Sequence, residues 1–433
     1  MENNTKLVFS IAFIIGLLAC ASGVSAAETQ IDTGDTAWML VSSALVLLMI
    51  PGVAFFYGGL VRGKNILNTL MMVLAVLSII SLQWVLFGYS LVFGPDIGGF
   101  IGDLTHIGLS GVGQSPLDYA PTIPGLSFMI FQAMFAIITP TLFVSAFVGR
   151  GKFSAFIVFV FLWSTLVYDP VAHWVWGSGG WLGNLGALDF AGGAVIHITS
   201  GMTALLIALH LGKREGYGDV PMEPNSIPFA VLGAGLLWFG WFGFNAGSAL
   251  ASGGLASNAF VVTHLSASAA ALSWTALSWR HRAPSLLGLA TGAVAGLVAI
   301  TPAAGFVSPL SAIVIGLGAG VVCYYALLFR VEKGIDESLD AWAVHGIGGM
   351  WGALATGIFA SLLVNPDGAN GLLYGNLSQL ITQIISIIAV IVYTVVVSFV
   401  LLKIVDSTIG LRVKEEEESV GLDLSQHGER ANS

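Results

Sequence analysis

The chain has 433 residues, of which 56% are hydrophobic and only 9% charged, with a formal net charge of -9. A soluble globular domain carries about 25% charged residues, so this composition excludes an ordinary soluble enzyme or binding module and points to a polytopic membrane protein. The 55 glycines agree, because glycine lets membrane helices pack backbone against backbone.

In chain order, residues 1–27 read as a signal peptide. Lys6 supplies the positive start, "LVFSIAFIIGLLAC" the apolar stretch, and "GVSAAE" small residues for cleavage near Ala26 or Ala27. A lipobox ending at Cys20 and an uncleaved extra helix are the alternatives. If Cys20 leaves with the signal, Cys323 stands alone, which rules out an internal disulfide and a cysteine-built metal site. Eleven apolar spans follow, at about 37–60, 66–93, 124–149, 153–175, 189–211, 227–250, 257–279, 285–302, 306–329, 340–363 and 377–403. Each approaches the roughly 20 residues that cross a bilayer core of about 30 Å. Span eight is short and glycine-rich. Residues 404–433 form a polar tail with the acidic run "KEEEE".

Charge sets the orientation. Of the 15 Lys and Arg, all but Lys6 fall in odd-numbered connections, at the end of the last span or in the tail; the connections 94–123 and 364–376 have none. The positive-inside rule then places the mature N-terminus outside and the C-terminus in the cytoplasm. The expected location is the cell (inner) membrane. Eleven spans divide as five, five and one, which is the arithmetic of two inverted halves, 28–211 and 212–363, followed by an eleventh helix, 377–403. Span five opens with Asp189 and carries His197; span ten opens with Asp340 and carries His345.

His197 lies roughly 12 Å along its helix and His345 about 7–8 Å along its own. A lone buried histidine is ordinarily a satisfied core residue. Matched histidines in symmetry-related helices instead suggest a pathway or a proton relay. A zinc pair lacks a third ligand, so no metal and no cofactor is expected. Asp189 and Asp340 sit where a carboxylate caps a helix start; Asp189 also favours a cation near the outer mouth without touching it. Phe131 and Phe135 lie one turn apart in span three. Trp241, Phe244 and Ser248 share a face of span six, and Trp176 ends span four. Core and interfacial packing explains such aromatics; a cation site with stacked rings beneath it also fits them.

The chain resembles the ammonium transporter (Amt/Mep/Rh) family, in its ammonium transporter branch, across its whole length. The segments that carry the resemblance are "PGVAFFYGGLVRGKNILNTL", "DFAGGAVIHI", "GWFGFNAGSAL", "SLLGLATGAVAGLVAITPAAG", "DAWAVHGIGGMWGALATGIFA" and "GLRVKEEEESVGLDLSQHGE". The resemblance implies a homotrimer with one pore per subunit. It implies an outer ammonium site at Trp176, Phe135 and Ser248 with Phe131 and Trp241 near it, and a gate of Phe135 and Phe244. It implies a hydrogen-bonded pair, His197 and His345, in the pore, and supporting Asp189. It also implies a tail, including Asp406, Gly410 and Arg412, that packs on the cytoplasmic face, couples subunits and receives a PII-type nitrogen-regulatory protein. The sequence departs from the family pattern at Gly149, where glutamate is usual, and at His264, where a small or amide residue is. "WGSGGWLG" is slightly expanded before Asp189.

The expected function is ammonium transport. Ammonium and potassium are similar in size and charge, and a carbonyl-lined filter would pass both. Ammonium alone can shed a proton and cross an apolar segment as ammonia. The expectation is therefore deprotonation at the outer gate, ammonia passing the histidines, and separate proton transfer. A neutral gas channel and an ammonium sensor are the rivals. No signalling domain is evident after residue 403, which weighs against a sensor. No nucleophile–base pair or cofactor motif supports an enzyme, and no nucleic-acid partner is expected.

Overall fold

The computed structural model describes residues 31–281 and 283–431. The signal peptide, residues 1–27, and Arg282 lie outside the described residues. The architecture is all-helical apart from two small antiparallel hairpins. The long helices are α1 (Thr33–Leu60), α2 (Gly63–Phe93), α3 (Gly125–Phe147), α4 (Phe153–Asn184), α5 (Gly193–Leu211), α6 (Ile227–Gly247), α7 (Gly254–His281), α8 (Leu286–Ile300), α9 (Pro309–Glu332), α10 (342–359) and α11 (Leu377–Thr408). Among the described residues nine are long and apolar enough to cross a membrane. Helix α8, in the expected eighth span, is shorter, and α10 is not among the nine.

Helix starts follow local sequence. The Asp32 carboxylate accepts the Asp35 amide proton, and the Ser226, Ser285, Ser308 and Asn376 side chains do the same three residues ahead of themselves. Such caps satisfy amides that the helix leaves free. Pro140 lies inside α3, and the regular helix breaks at Phe143. The Tyr57 hydroxyl donates to the Leu142 carbonyl beside that break, at 2.9 Å.

Two ends of the bundle are chemically distinct. The connection 94–124 carries the hairpins β1 (Asp96–Ile97)–β2 (Ile101–Gly102) and β3 (Pro116–Leu117)–β4 (Ala120–Pro124) on what we term the far face. On the opposite end, the tail face, residues after α11 form α12 (Glu415–Val420) and α13 (Leu422–His427). The acidic tail is packed rather than loosely solvated. Lys64 Nζ donates to the Glu418 and Ser419 carbonyls, Asn65 Oδ1 accepts from the Leu422 amide, and Asp423 Oδ1 accepts from the Asn68 amide. Backbone pairing ties Lys152 to Leu411 and Val413 to Arg150. Asp406 Oδ1 accepts the Leu411 amide proton, Gly410 takes φ +79, and Arg412 donates to the Leu211 carbonyl and to Glu418.

Beneath the tail, Asp336 joins three segments. It pairs with Arg150 at 2.7 Å and with Arg214 at 2.6 Å, all three side chains being buried. This network accounts for one departure from the family pattern: Gly149, next to Arg150, has φ +75, a left-handed conformation that a glutamate would adopt only at a cost. His264, the other departure, lies on the exposed side of α7 and packs against Trp238.

Helices α5 and α10 touch backbone to backbone. A Cβ on Gly201 would collide with the Gly346 amide. Gly201→Ala should therefore force the helices apart and destabilise the protein by about 1–3 kcal/mol, read as a lower melting temperature in detergent. Asp336→Asn should cost about 3–5 kcal/mol, because it leaves buried guanidinium groups uncompensated. Burial pushes the Asp336 carboxyl up, but hydrogen bonds and charge from Arg214, joined by Arg150, hold it below its ordinary value. Its contribution is complete above the unfolded value and lost as pH falls through the lower folded one. The stability gap between wild type and D336N should thus narrow below about pH 3.9.

Candidate functional site

The site begins where α5 begins. The Asp189 carboxylate accepts four backbone N–H groups, from Gly192, Gly193, Ala194 and Val195, at 2.9, 2.5, 2.8 and 3.2 Å. Gly192 has φ +107, and it turns the chain so that these amides converge on one side chain. All of these carboxylate bonds go to the protein itself. The helix thus starts at Gly193, four residues later than the apolar pattern suggests. Asp189 also fixes Trp176, whose indole Nε1 donates to the Asp189 carbonyl at 2.9 Å.

Asp340 does not mirror this arrangement. It has φ +59 and pairs with Arg330 at 2.7 Å. The carboxylate that accepts amides at the start of α10 is that of Glu337, from Leu339 and Trp342. The expectation of a capping Asp340 is corrected to Glu337: the left-handed Asp340 backbone and the nearby Arg330 take its side chain elsewhere.

Both histidines lie in wide π-helical turns, Gly193–Ile198 and Trp342–Ile347. Such turns recur at functional positions. His197 Nδ1 and His345 Nδ1 are 3.2 Å apart. Two ring nitrogens at that distance share one proton, so one ring donates and the other accepts. Both residues are buried. His197 Nε2 has no partner among the described residues. The cavity at the pair is lined by Met49, Val53, Phe56, Ile138, Leu142, Trp241, Phe244 and Val294, among others. Its room for water is about 10 Å³, enough for about one molecule. Trp241 stacks on His197 at 5.6 Å and is held by Thr301, to which its Nε1 donates at 2.9 Å.

Toward the far face the cavity is closed by two rings. Phe135 and Phe244 have centroids 4.5 Å apart. Phe244 lines the histidine cavity; Phe135 lines the floor of a vestibule of about 300 Å³. Trp176 stands edge-on to Phe135 at 6.0 Å. Ser248, across the vestibule, donates its hydroxyl proton to the Phe244 carbonyl at 2.9 Å. That leaves the oxygen lone pairs as acceptors. The vestibule therefore offers aromatic faces and an acceptor oxygen, which suit a small cation carrying N–H groups.

Of the residues expected at the outer site, the structure brings Trp176, Phe135 and Ser248 together. Phe131 is buried and packs edge-on to Phe135 at 4.8 Å. Trp241 lies past Phe244, with the histidines rather than in the vestibule. Phe93, Tyr119, Gln132 and Phe190 also line the vestibule and were not anticipated; of these only Phe190, adjacent to Asp189, had a positional signal. Thr301 and Glu337 act through neighbours across the fold and carried none. Asp406, Gly410 and Arg412 lie at the tail face, away from this chamber.

A family model described as Ammonium Transporter Family matches residues 37–432. Ammonium transporter Amt1 of Archaeoglobus fulgidus is 53% identical over 398 residues, covering 92% of this chain and 99% of that one. The crystal structure of Candida albicans Mep2 is 38% identical with a TM-score of 0.85, covering 93% of this chain and 91% of that chain. A solved structure named Sensor Amt Protein is 29% identical with a TM-score of 0.84, covering 91% and 98%. The match spans the apolar helices, the paired histidines and the packed tail alike, and the chain belongs to the ammonium transporter family as a multi-pass membrane protein.

Proposed function

We propose that this transporter binds ammonium in the vestibule at the far face, strips a proton at the Phe135–Phe244 gate and conducts ammonia past His197 and His345. The proton crosses separately through the histidine pair. The observation that carries this reading is the 3.2 Å contact between two buried imidazoles in an otherwise apolar, narrow cavity. A bare ion at a membrane centre costs at least about 2.5–3.5 kcal/mol. Ammonia avoids that cost, and potassium has no proton to lose. A proton taken up at the free Nε2 of the donor ring, passage of that ring's Nδ1 proton to its partner and release of the partner's Nε2 proton turn the Nδ1–H···Nδ1 bond into its mirror image, so the pair is built to hand on a proton. Phe131 and Trp241 serve this path by holding Phe135 and His197 in place. Asp189 serves it by holding Trp176 and the start of α5.

The same proposal takes all eleven helices as spans, arranged as two inverted five-helix halves, 28–211 and 212–363, with α11 last. The paired π-helical turns in α5 and α10 support the symmetry. The far face is outside and the tail face cytoplasmic, in the inner membrane, following the distribution of Lys and Arg. Three subunits each form a pore, and the packed tail with Asp406, Gly410 and Arg412 offers a docking face to a PII-type regulator. A second reading, that the protein also senses ammonium, is favoured by the likeness to the Sensor Amt Protein. Growth on limiting ammonium separates the two: a tail deletion that spares uptake but abolishes a downstream response marks a sensor.

Transport is tested in liposomes, with current and internal pH followed after ammonium and potassium pulses. Current with ammonium and none with potassium is expected. An internal pH rise without current would replace the proposal with a gas channel. His197→Asn should abolish current or admit potassium; survival of both properties would sink the relay. Ser248→Ala removes an acceptor for a charged donor, a bond worth about 1.5–3 kcal/mol, and should raise half-saturating ammonium roughly tenfold or more.

A further inference from the structure

Helices α2 and α4 each widen into a π-helical turn away from the histidines, Trp84–Gly88 and Ser164–Tyr168. Gln83 precedes the first turn and Asp169 follows the second. Their side chains meet: Gln83 Nε2 donates to Asp169 Oδ2 at 2.7 Å. Asp169 lies halfway along α4, is fully buried and forms no salt bridge among the described residues. An ionisable group at that depth is costly, and such groups are usually functional.

Donors and acceptors decide the state of this acid. Gln83 Oε1 and Asp169 Oδ1 are both buried and have no partner among the described residues. An ionised carboxylate only accepts, so it can meet the Gln83 N–H but leaves Gln83 Oε1 without a donor. It would also be a buried charge supported by one neutral amide. A proton on Asp169 Oδ1 removes both defects: the acid becomes neutral, and Gln83 Oε1 gains a donor. The two orphaned atoms are one oxygen from each group, which a second hydrogen bond beside the first would join. An acid kept neutral by an apolar site can donate in this way.

The position of the pair gives it a task. The Asp169 amide bonds to the Ser164 carbonyl, five residues back, and the next residue, Pro170, has no N–H to donate. The regular ladder of α4 is therefore interrupted here. Tyr393 of α11 donates its hydroxyl proton to the Leu166 carbonyl, four residues before Pro170, at 2.8 Å. Beyond the interruption, the segment Asp169–Trp176 is fixed from the side. His173 Nδ1 is 2.7 Å from the Val92 carbonyl, His173 Nε2 is 2.9 Å from Asp96 Oδ1, and the Trp176 indole bonds to the Asp189 carbonyl. Asp169 with Gln83 is the first of these ties. Trp176 follows seven residues later, about two turns along the same face.

We propose that Asp169 carries a bound proton, that the neutral acid and the Gln83 amide form a ring of two hydrogen bonds, and that this ring positions Trp176 at the vestibule. Asp169 is a positioning residue: it does not line the vestibule and acts through the far-face segment of α4. The effect on ammonium rests on the vestibule being the ammonium site; the bound proton does not.

The test starts with infrared spectra of the purified full-length protein at neutral pH. Wild type minus Asp169→Asn should show the carbonyl band of a protonated carboxylic acid and no carboxylate bands. Asp169→Asn should melt with wild type and keep its half-saturating ammonium in liposomes, because its amide offers the same donor and acceptor. Asp169→Leu and Gln83→Met remove both bonds. Each should melt lower and raise half-saturating ammonium about fivefold, the scale of one misplaced aromatic face, with maximal flux near that of wild type. Carboxylate bands in the difference spectrum would overturn the bound proton. D169N melting as low as D169L would overturn the ring. Unchanged half-saturating ammonium in Q83M, the milder replacement, would overturn the positioning of Trp176. Spectra and melting need no transport, so failure here and failure of the ammonium pathway are separable.

Discussion

Everything at the centre of this molecule depends on a backbone crossing. Gly201 and Gly346 let α5 and α10 approach until no side-chain atom fits between them. With that approach fixed, the neighbouring turns present His197 and His345 at hydrogen-bond distance. Hydrocarbon supplies no hydrophobic drive between helices, so such close packing and a few polar contacts must hold them. The wide turns at both histidines then set where the rings point.

Around this crossing, charge is sorted by depth and face. The far face has no described Lys or Arg, and its Asp96 pairs with His173 at 2.9 Å; the tail face holds the guanidinium and ammonium groups, several of them buried against acids such as Asp336. Between the two faces the histidine cavity is lined by rings and aliphatic groups, with the two imidazoles as its titratable groups. Asp189 is an acid at the margin of this apolar region, and it spends its hydrogen-bonding capacity on four amides. Its carboxylate atoms are not offered to the vestibule.

Much of this was legible in the sequence, for identifiable reasons. Apolar runs of membrane length are visible without tertiary information, and the long helices stand where the spans were expected. His197, Trp176 and Ser248 were legible because a polar or amphipathic residue in an apolar run is conspicuous. Helix ends set by long-range partners were not. The late start of α5 depends on Asp189 gathering four amides, and the role of Glu337 depends on Asp340 turning toward Arg330. Trp241 shares a helical face with Ser248, yet the two fall on opposite sides of one phenyl ring, which spacing alone does not reveal. Phe93 and Tyr119 come from distant segments and meet only in the folded chain.

The grip of Arg412 on the Leu211 carbonyl gives the tail a mechanical meaning. Leu211 is the last residue of the helix that bears His197, roughly 21 Å further along the same rod. Helices are stiff over that length, so a pull or twist applied outside the membrane at Arg412 is transmitted to the imidazole with little loss. In the proposed mechanism, the segment after α11 is thus the handle of a lever whose working end is His197, and a ligand that repositions this handle would act on the histidine pair without entering the vestibule.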